Sequence, residues 1–346
     1  MKKKIYIAYT GGTIGMGRTE TGYQPVSGYL AKLFDRMPEL QNPEMPEFDI
    51  HEYRPLIDSS NISPRHWWTI ASDIHTHYRK YDGFVILHGT DTMAYTASAL
   101  SYMLRGLEKP VILTGGQIPL CELRNDSREN LITSMMIAAN YKIPEVCLFF
   151  GGRLMRGNRT VKVNANAFEA FDSPNFSLLG VAGISIDINW NLILPPVKAD
   201  AGMKIQDLGE SPVAALRLFP GISSAVVKNI LNPPIKGIVL ETYGVGNGPS
   251  NDKALLKVLK DATDREVVIV NCTQCLKGKV SMDAYATGTA LGEAGVISGL
   301  DMTAEAALTK MFYLFSRDLS GNRIRTTMQL NLRGELSGEL HTRSSK

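Results

Sequence analysis

No run of this sequence approaches the roughly 18 apolar residues a helix needs to cross a bilayer. Membrane partners are therefore not expected. Lys2-Lys3-Lys4 looks like the basic start of an export signal, but the apolar stretch behind it, Ile5 to Tyr9, stops at Thr10-Gly11-Gly12. That is shorter than the roughly 7–15 residues such a signal requires, so the cytoplasm is the expected location. Cysteine is scarce: the four residues, 121, 147, 272 and 275, are too few and too unevenly spaced for a disulfide framework. Cys272-Thr-Gln-Cys275 has the spacing of a redox or zinc half-site, but no second CxxC or HxxxH accompanies it. It reads as two small apolar residues after a strand. The six histidines, 51, 66, 75, 77, 88 and 341, form no H-E-x-x-H and are expected at the surface. Charge of one sign is also lacking. With 37 Lys+Arg against 34 Asp+Glu the net charge is +3, which gives no reason to expect nucleic acid. Phosphate-binding loops are absent as well. A G-x-G-x-x-G read from Gly11 meets Thr13 at its third position, one read from Gly15 meets Glu20 at its sixth, and no Gly-Lys-Ser/Thr follows.

What is present is a globular composition, 44% hydrophobic and 21% charged over 346 residues. A single core rarely grows beyond about 250–300 residues, so two domains are expected. Short β-branched runs alternate with helix-period segments, the pattern of parallel strands crossed by helices. Ile5–Tyr9 and Phe84–Leu87 are continuous apolar runs, as suits strands buried on both faces. Met93, Ala97, Leu100 and Leu104 fall at helical spacing. Strands at Val111–Leu113 and Val146–Phe150 and a helix from about 130 to 139 continue the unit. Residues 187–212 lose period and gather Pro195-Pro196 and Ala201-Gly202, which marks a connector. A second alternating unit has strands near Val213–Leu218, Gly237–Glu241 and Val267–Val270 and helices over Lys253–Ala262 and Thr303–Phe315. The expectation is an α/β protein. A larger N-terminal domain (1–190) has a mostly parallel sheet flanked by helices, 191–212 is the linker, and a smaller parallel-sheet C-terminal domain covers 213–346. The polar tail from Gly334 is expected to fray.

In open α/β sheets ligands bind beyond the carboxyl ends of the strands. The loops there contain Gly11-Gly12-Thr13, Gly89-Thr90-Asp91 and Thr114-Gly115-Gly116-Gln117, each coupling glycine to a hydroxyl. Glycine lets backbone N–H groups approach a ligand closely. Asp58-Ser59-Ser60 precedes Ser63-Pro64, which has the form of an N-cap followed by proline at the first helical position.

Tyr9-Thr10-Gly11-Gly12-Thr13-Ile14-Gly15 together with His88-Gly89-Thr90-Asp91-Thr92-Met93 resembles the two signature segments of bacterial-type L-asparaginases. The resemblance extends through Gly22-Tyr23, Asp58-Ser59-Ser60, Arg156-Gly157-Asn158-Arg159 with Lys162, and Tyr243-Gly244-Val245-Gly246-Asn247, nearly the whole chain. It is nearest in wording to the cytoplasmic type I branch. The resemblance implies the asparaginase two-domain fold and hydrolysis of L-asparagine to aspartate and ammonia through an acyl-threonine. Thr13 is the implied nucleophile, and Tyr23 the lid tyrosine whose hydroxyl contacts it. Ser59 is implied to hold the substrate α-carboxylate, with Asp58 and Ser60 beside it, and Asp91 the α-ammonium. Thr90 and Lys162 join Asp91 in a triad that handles protons and the attacking water. No cofactor or metal is implied; a homo-oligomer is, a dimer or dimer of dimers, with the active-site loops near a subunit contact. The chemistry agrees with these roles. A threonine hydroxyl attacks an amide only when a base or relay takes its proton, and backbone N–H groups stabilise the tetrahedral oxyanion.

Two other functions fit parts of the pattern. An ammonia-supplying tRNA amidotransferase subunit of archaeal type normally carries an extra N-terminal domain, whereas the first strand here starts at residue 5. A non-catalytic amino-acid sensor is expected to have lost Thr13, Thr90 or Lys162. Some type I enzymes are switched on by asparagine in a second pocket, with threonine before the catalytic lysine and arginine before the Ser/Thr-Tyr-Gly-Val-Gly-Asn segment. The matching residues are Val161 and Glu241. Valine lacks the hydroxyl, and glutamate repels a ligand carboxylate at a cost of several kcal/mol, enough to abolish millimolar binding. Rate against asparagine concentration is therefore expected to be hyperbolic, or else the effector pocket to have different chemistry. A Hill coefficient clearly above one that is abolished by mutating Cys275 or Glu241 would overturn this.

Overall fold

The computed structural model describes residues 2–196, 202–282 and 286–338. The chain divides into two compact units, Met1–Gln206 and Asp207–Lys346. In the first, five parallel strands are β1 (Lys4–Tyr9), β2 (Glu47–Glu52), β3 (Gly83–Leu87), β4 (Val111–Thr114) and β5 (Val146–Phe150). They lie in the order β2-β1-β3-β4-β5. An antiparallel arm of β6 (Arg153–Arg156), β7 (Gly180–Ala182) and β8 (Ile186–Ile188) extends the sheet beyond β5. The apolar runs become central strands because helices cover both faces and leave no polar side: all five residues of β3 are buried. Ile5, Ile7 and Tyr9 share a core cluster with Leu131, Met135 and Ala138 of the helix Ser127–Asn140. That helix packs so tightly that a Cβ on Gly83 would strike the Ala138 carbonyl.

The second unit has four parallel strands in chain order, β9 (Val213–Arg217), β10 (Gly237–Thr242), β11 (Val268–Thr273) and β12 (Ile297–Ser298). The helix Lys253–Asp264 buries Leu255, Leu259 and Ala262 at helical spacing against this sheet's core. Two α/β units thus match the alternation in the sequence.

Local expectations fare unevenly. The helix after Ser63 does begin at Pro64, with Ser63 and His66 forming a reciprocal cap. Part of the expected connector is tied down, since Lys204–Ile205 pairs antiparallel with Leu104–Arg105 of the first unit. The expected fraying from Gly334 is contradicted over residues 334–338. Glu335 and Lys310 are both fully buried and ion-paired at 2.5 Å, and the carboxylate also accepts from the Leu332 and Arg333 N–H groups. Breaking such a pair costs about 3–5 kcal/mol, enough to hold a polar segment in place. Residues 339–346, including His341, lie outside the described residues.

Candidate active site

With its parallel strands numbered in chain order, the first sheet has the doubly wound order 2-1-3-4-5, whose switch point lies between β1 and β3. Ligands bind at such points because the chain leaves neighbouring strands in opposite directions and opens a crevice. Tyr9 and Leu87 pair in register at the end of β1 and β3, so the Gly11-Gly12-Thr13 and Gly89-Thr90-Asp91 loops leave at the same level. The loops then touch. A Cβ on Gly12, whose φ is 91°, would lie 2.5 Å from the Gly89 Cα and N. Thr13 and Thr90 each follow the touching glycine. Thr13 opens a short 3₁₀ turn, Thr13–Gly15, in which the Gly15 N–H donates to the Gly12 carbonyl at 3.3 Å.

Lys162 reaches this crevice from a separate two-stranded ribbon that follows β6. Its Nζ donates to Thr90 Oγ1 at 2.9 Å and to Asp91 Oδ1 at 2.7 Å. Thr90 is 7% exposed while the Asp91 side chain is 67% exposed, so the aspartate keeps an oxygen free for a ligand. The lysine is delivered by a buried scaffold. Arg156 Nε donates to Glu145 Oε2 at 2.6 Å, and both Arg156 and Arg159 lie over the Phe176 ring, at 4.4 and 5.2 Å. The 3₁₀ turn Gly157–Arg159 then leads into Val161–Lys162, paired antiparallel with Phe171–Asp172. The Arg-Gly-Asn-Arg segment is thus structural support.

Ser59 is buried, and its Oγ lies against Gly89 so closely that a Cβ there would collide with it. The Ser59 carbonyl accepts from Thr92 Oγ1 at 2.7 Å, which fixes the segment over the second loop. The Asp58 carboxylate accepts from the Ser60 N–H at 3.1 Å and caps the turn Ser59–Asn61; Ser60 is exposed. Tyr23 sits on the hairpin Met16–Thr19/Gly22–Pro25 that follows Thr13, and is 42% exposed. The Glu122 carboxylate near its hydroxyl raises the phenol's pKa.

Two residues of the site carried no assigned role in the sequence. Thr90 Oγ1 donates to Gln117 Oε1 at 3.1 Å, while Gln117 Nε2 donates to the Ala165 and Ala167 carbonyls at 2.9 and 3.3 Å. Those two bonds fix which end of the amide faces Thr90. The signal was the Thr-Gly-Gly-Gln loop at the end of β4, where a side-chain amide stands at the crevice. His88, expected at the surface, is 1% exposed in the core beneath the loop. Burial holds its pKa down, from 6.5 to about 4, so the imidazole is neutral at pH 7. The apolar strand before it, with Thr96 in the next helix to receive its ring, was the signal for a buried histidine. All four cysteines are free; Cys272 is buried in β11 and Cys275 is exposed, not apolar filling as expected. Among the described residues no group of three or more His, Cys, Asp or Glu is placed to hold a metal ion, and no helix is long and apolar enough to cross a membrane.

Comparison with known proteins agrees with this geometry. Residues 4–194 match the family model "Asparaginase, N-terminal", and 212–328 match "Glutaminase/Asparaginase C-terminal domain". The chain is 56% identical to L-asparaginase 1 of Escherichia coli K12 over 97% of this chain and 98% of that one. Among solved structures it is similar to L-asparaginase I from Vibrio cholerae, with TM-score 0.90 and 50% identity over 97% of this chain and 100% of that one. The thermostable L-asparaginase of Thermococcus kodakarensis matches with TM-score 0.85 and 32% identity, again over 97% and 100%.

The neutral His88 generates a test of the buried site. In the unfolded chain the ring protonates near pH 6.5, in the folded chain only near 4. The unfolded state therefore binds more protons between these values. This group's stability contribution is complete above pH 6.5, falls as pH drops toward 4 and is flat below, a loss of about 3 kcal/mol at most. Denaturant unfolding of the parent and of His88→Asn at pH 7 and pH 4.5 is expected to show a smaller acid loss in the variant. Equal losses would mean that the ring is not held neutral.

Proposed function

The chain belongs to the asparaginase family, and on that premise we propose that it is an L-asparaginase whose nucleophile is Thr13. It hydrolyses L-asparagine to L-aspartate and ammonia. The observation that carries the reading is the Lys162–Thr90–Asp91 cluster set beside Thr13 at the β1/β3 switch point.

Ser59 holds the substrate α-carboxylate, with Asp58 shaping the turn and Ser60 at the rim. The exposed Asp91 carboxylate holds the α-ammonium. These two contacts place the side-chain amide over Thr13. Thr13 Oγ attacks the amide carbon, the C–N bond breaks, and the hydroxyl proton leaves with ammonia. The aspartyl ester on Thr13 is then cleaved by water, whose proton passes through Thr90 to Lys162 and is returned to the Thr13 oxygen as the ester C–O bond breaks, releasing aspartate and restoring the hydroxyl. Lys162 must be neutral for that part of the cycle, since an ammonium accepts no proton. With Lys162 donating, Gln117 accepts the Thr90 hydroxyl proton, and that proton turns to Lys162 when the lysine is neutral. Backbone N–H groups at Thr13 and Thr90 face the oxyanion. Tyr23 closes over Thr13 from its hairpin when substrate is bound, leaving Glu122. The domains are 1–190, carrying these loops, and 213–346, joined by 191–212. The type I resemblance supports a cytoplasmic homo-oligomer, a dimer or dimer of dimers. A stable, fully active monomer in sedimentation at micromolar concentration would refute the assembly.

Ammonia release from asparagine tests the function directly. Thr13→Ala and Lys162→Met are each expected to lose at least about 10³-fold in kcat, because the nucleophile and its relay act as a unit. Their thermal midpoints should stay near the parent's, since both side chains lie outside the core. Near-parental activity in either variant would remove that residue from the mechanism. Glutamine adds one methylene between fixed α-contacts and the amide, and is expected to be turned over roughly 10–200-fold less efficiently. Comparable specificity constants for the two amides would contradict a pocket sized this way.

A further inference from the structure

Gly89 must be glycine, because a Cβ there would strike Ser59 Oγ. That requirement leaves a soft backbone dihedral directly before Thr90, and so a peptide plane free to rotate unless something pins it. The pin comes from beneath. The His88 ring presents Nδ1 to the Gly89 carbonyl at 2.7 Å and Nε2 to Thr96 Oγ1 at 3.0 Å. Trp67 Nε1 donates to the same Thr96 oxygen at 3.1 Å. An indole N–H only donates, so Thr96 accepts from Trp67 and gives its own proton to His88 Nε2. Nδ1 therefore carries the ring hydrogen and donates it to the Gly89 carbonyl. In a trans peptide the C=O and the following N–H point to opposite sides. A Gly89 carbonyl turned down into the core aims the Thr90 N–H up, away from His88 and toward the crevice. Among the described residues no acceptor takes that N–H.

We propose that His88 is a positioning residue: through the Gly89 carbonyl it holds the Thr90 N–H toward the reacting centre as a donor to the oxyanion, while Trp67 and Thr96 fix which ring nitrogen carries the hydrogen. The inference rests on the asparaginase reading above. The ring touches no substrate. It acts on charge that exists only in the transition state, so its effect belongs in kcat.

The test is steady-state asparagine hydrolysis and thermal unfolding of the full-length parent, His88→Leu, His88→Asn, Thr96→Val and Thr96→Ser. Deleting an oxyanion donor costs about 10²–10³-fold, and loosening one costs less. His88→Leu is expected to lower kcat about tenfold with KM within about twofold of the parent. His88→Asn, whose amide N–H stands near the place of Nδ1–H, recovers most of the loss. Thr96→Val falls in the same direction by a smaller factor, and Thr96→Ser recovers it. Merely structural roles would make kcat follow the unfolding midpoint, with Asn no better than Leu. A folded His88→Leu with kcat within twofold of the parent, or no recovery in Asn, overturns the proposal. Should His88→Leu fail to fold, the Thr96 pair decides: equal kcat in Val and Ser overturns it. A parent that releases no ammonia from asparagine refutes the proposed function instead.

Discussion

The site depends on two backbones touching where neither carries a side chain. Adjacent strands of a sheet stand about 4.8 Å apart, and the loops leaving them ordinarily diverge. Here a Cβ on Gly12 would run into Gly89, one on Gly89 into Ser59 Oγ, and one on Gly11 into the Ile57 carbonyl. Two of these meetings are backbone on backbone, and at Gly89 only the small Ser59 side chain intervenes. That closeness places Thr13, Thr90 and Ser59 around one small volume, and a methyl group at any of the three glycines pushes the segments apart. Gly11 and Gly12 also stand at φ of 136° and 91°, a region other residues rarely adopt.

The parallel core was legible because its physics is local. Strands buried on both faces read as unbroken apolar runs, and β5 (Val146–Phe150) has the bounds its composition announced. The antiparallel arm β6–β8 was not legible. Its outer strands β7 and β8 are short and half-exposed, and β7 pairs with a distant partner, Gly180 with Leu154. The edge strand β2, Glu47–Glu52, was missed for a related reason: its mixed polar pattern resembles a loop until β1 pairs with it. The candidate residues were recognised by family resemblance, and the loops that carry them by glycine and position. What neither showed was the support. Gln117 and His88 act through bonds to Thr90 and Gly89 that depend on three-dimensional placement. Glu335 misled for the opposite reason, since a polar tail reveals nothing of a buried lysine twenty-five positions upstream.

Charge is distributed by purpose. Arg156–Glu145 and Lys310–Glu335 are ion pairs with every side chain at most 5% exposed. Replacing such a pair with apolar groups is often neutral, but leaving one partner alone is costly. Their value lies in geometry. Glu145 also accepts from the Leu194 N–H, and Arg156 donates to the Leu192 carbonyl, so one pair ties β5, β6 and the segment beyond β8 together. Lys162 leaves from that tied region, and its reach to Thr90 depends on it.

Beneath the crevice the polar support is uncharged, and electrostatics explains why. A protonated imidazole under Gly89 would be a second cation near the Lys162 ammonium in low dielectric, and would compete for the negative charge that forms on the substrate. Burial prevents this by keeping His88 neutral down to about pH 4. A neutral donor can still fix a peptide plane, because a hydrogen bond needs direction more than charge. The aligned Thr90 dipole can then act without reorganising as charge develops, which is where preorganised donors are most effective. Formal charge is thus kept at the solvent side, on Asp91 and Lys162, where under the proposed function it would meet a zwitterionic amino acid and move protons. Orientation is supplied from the core by Trp67, Thr96 and His88, three groups that bring polarity beneath the site without adding a charge to it.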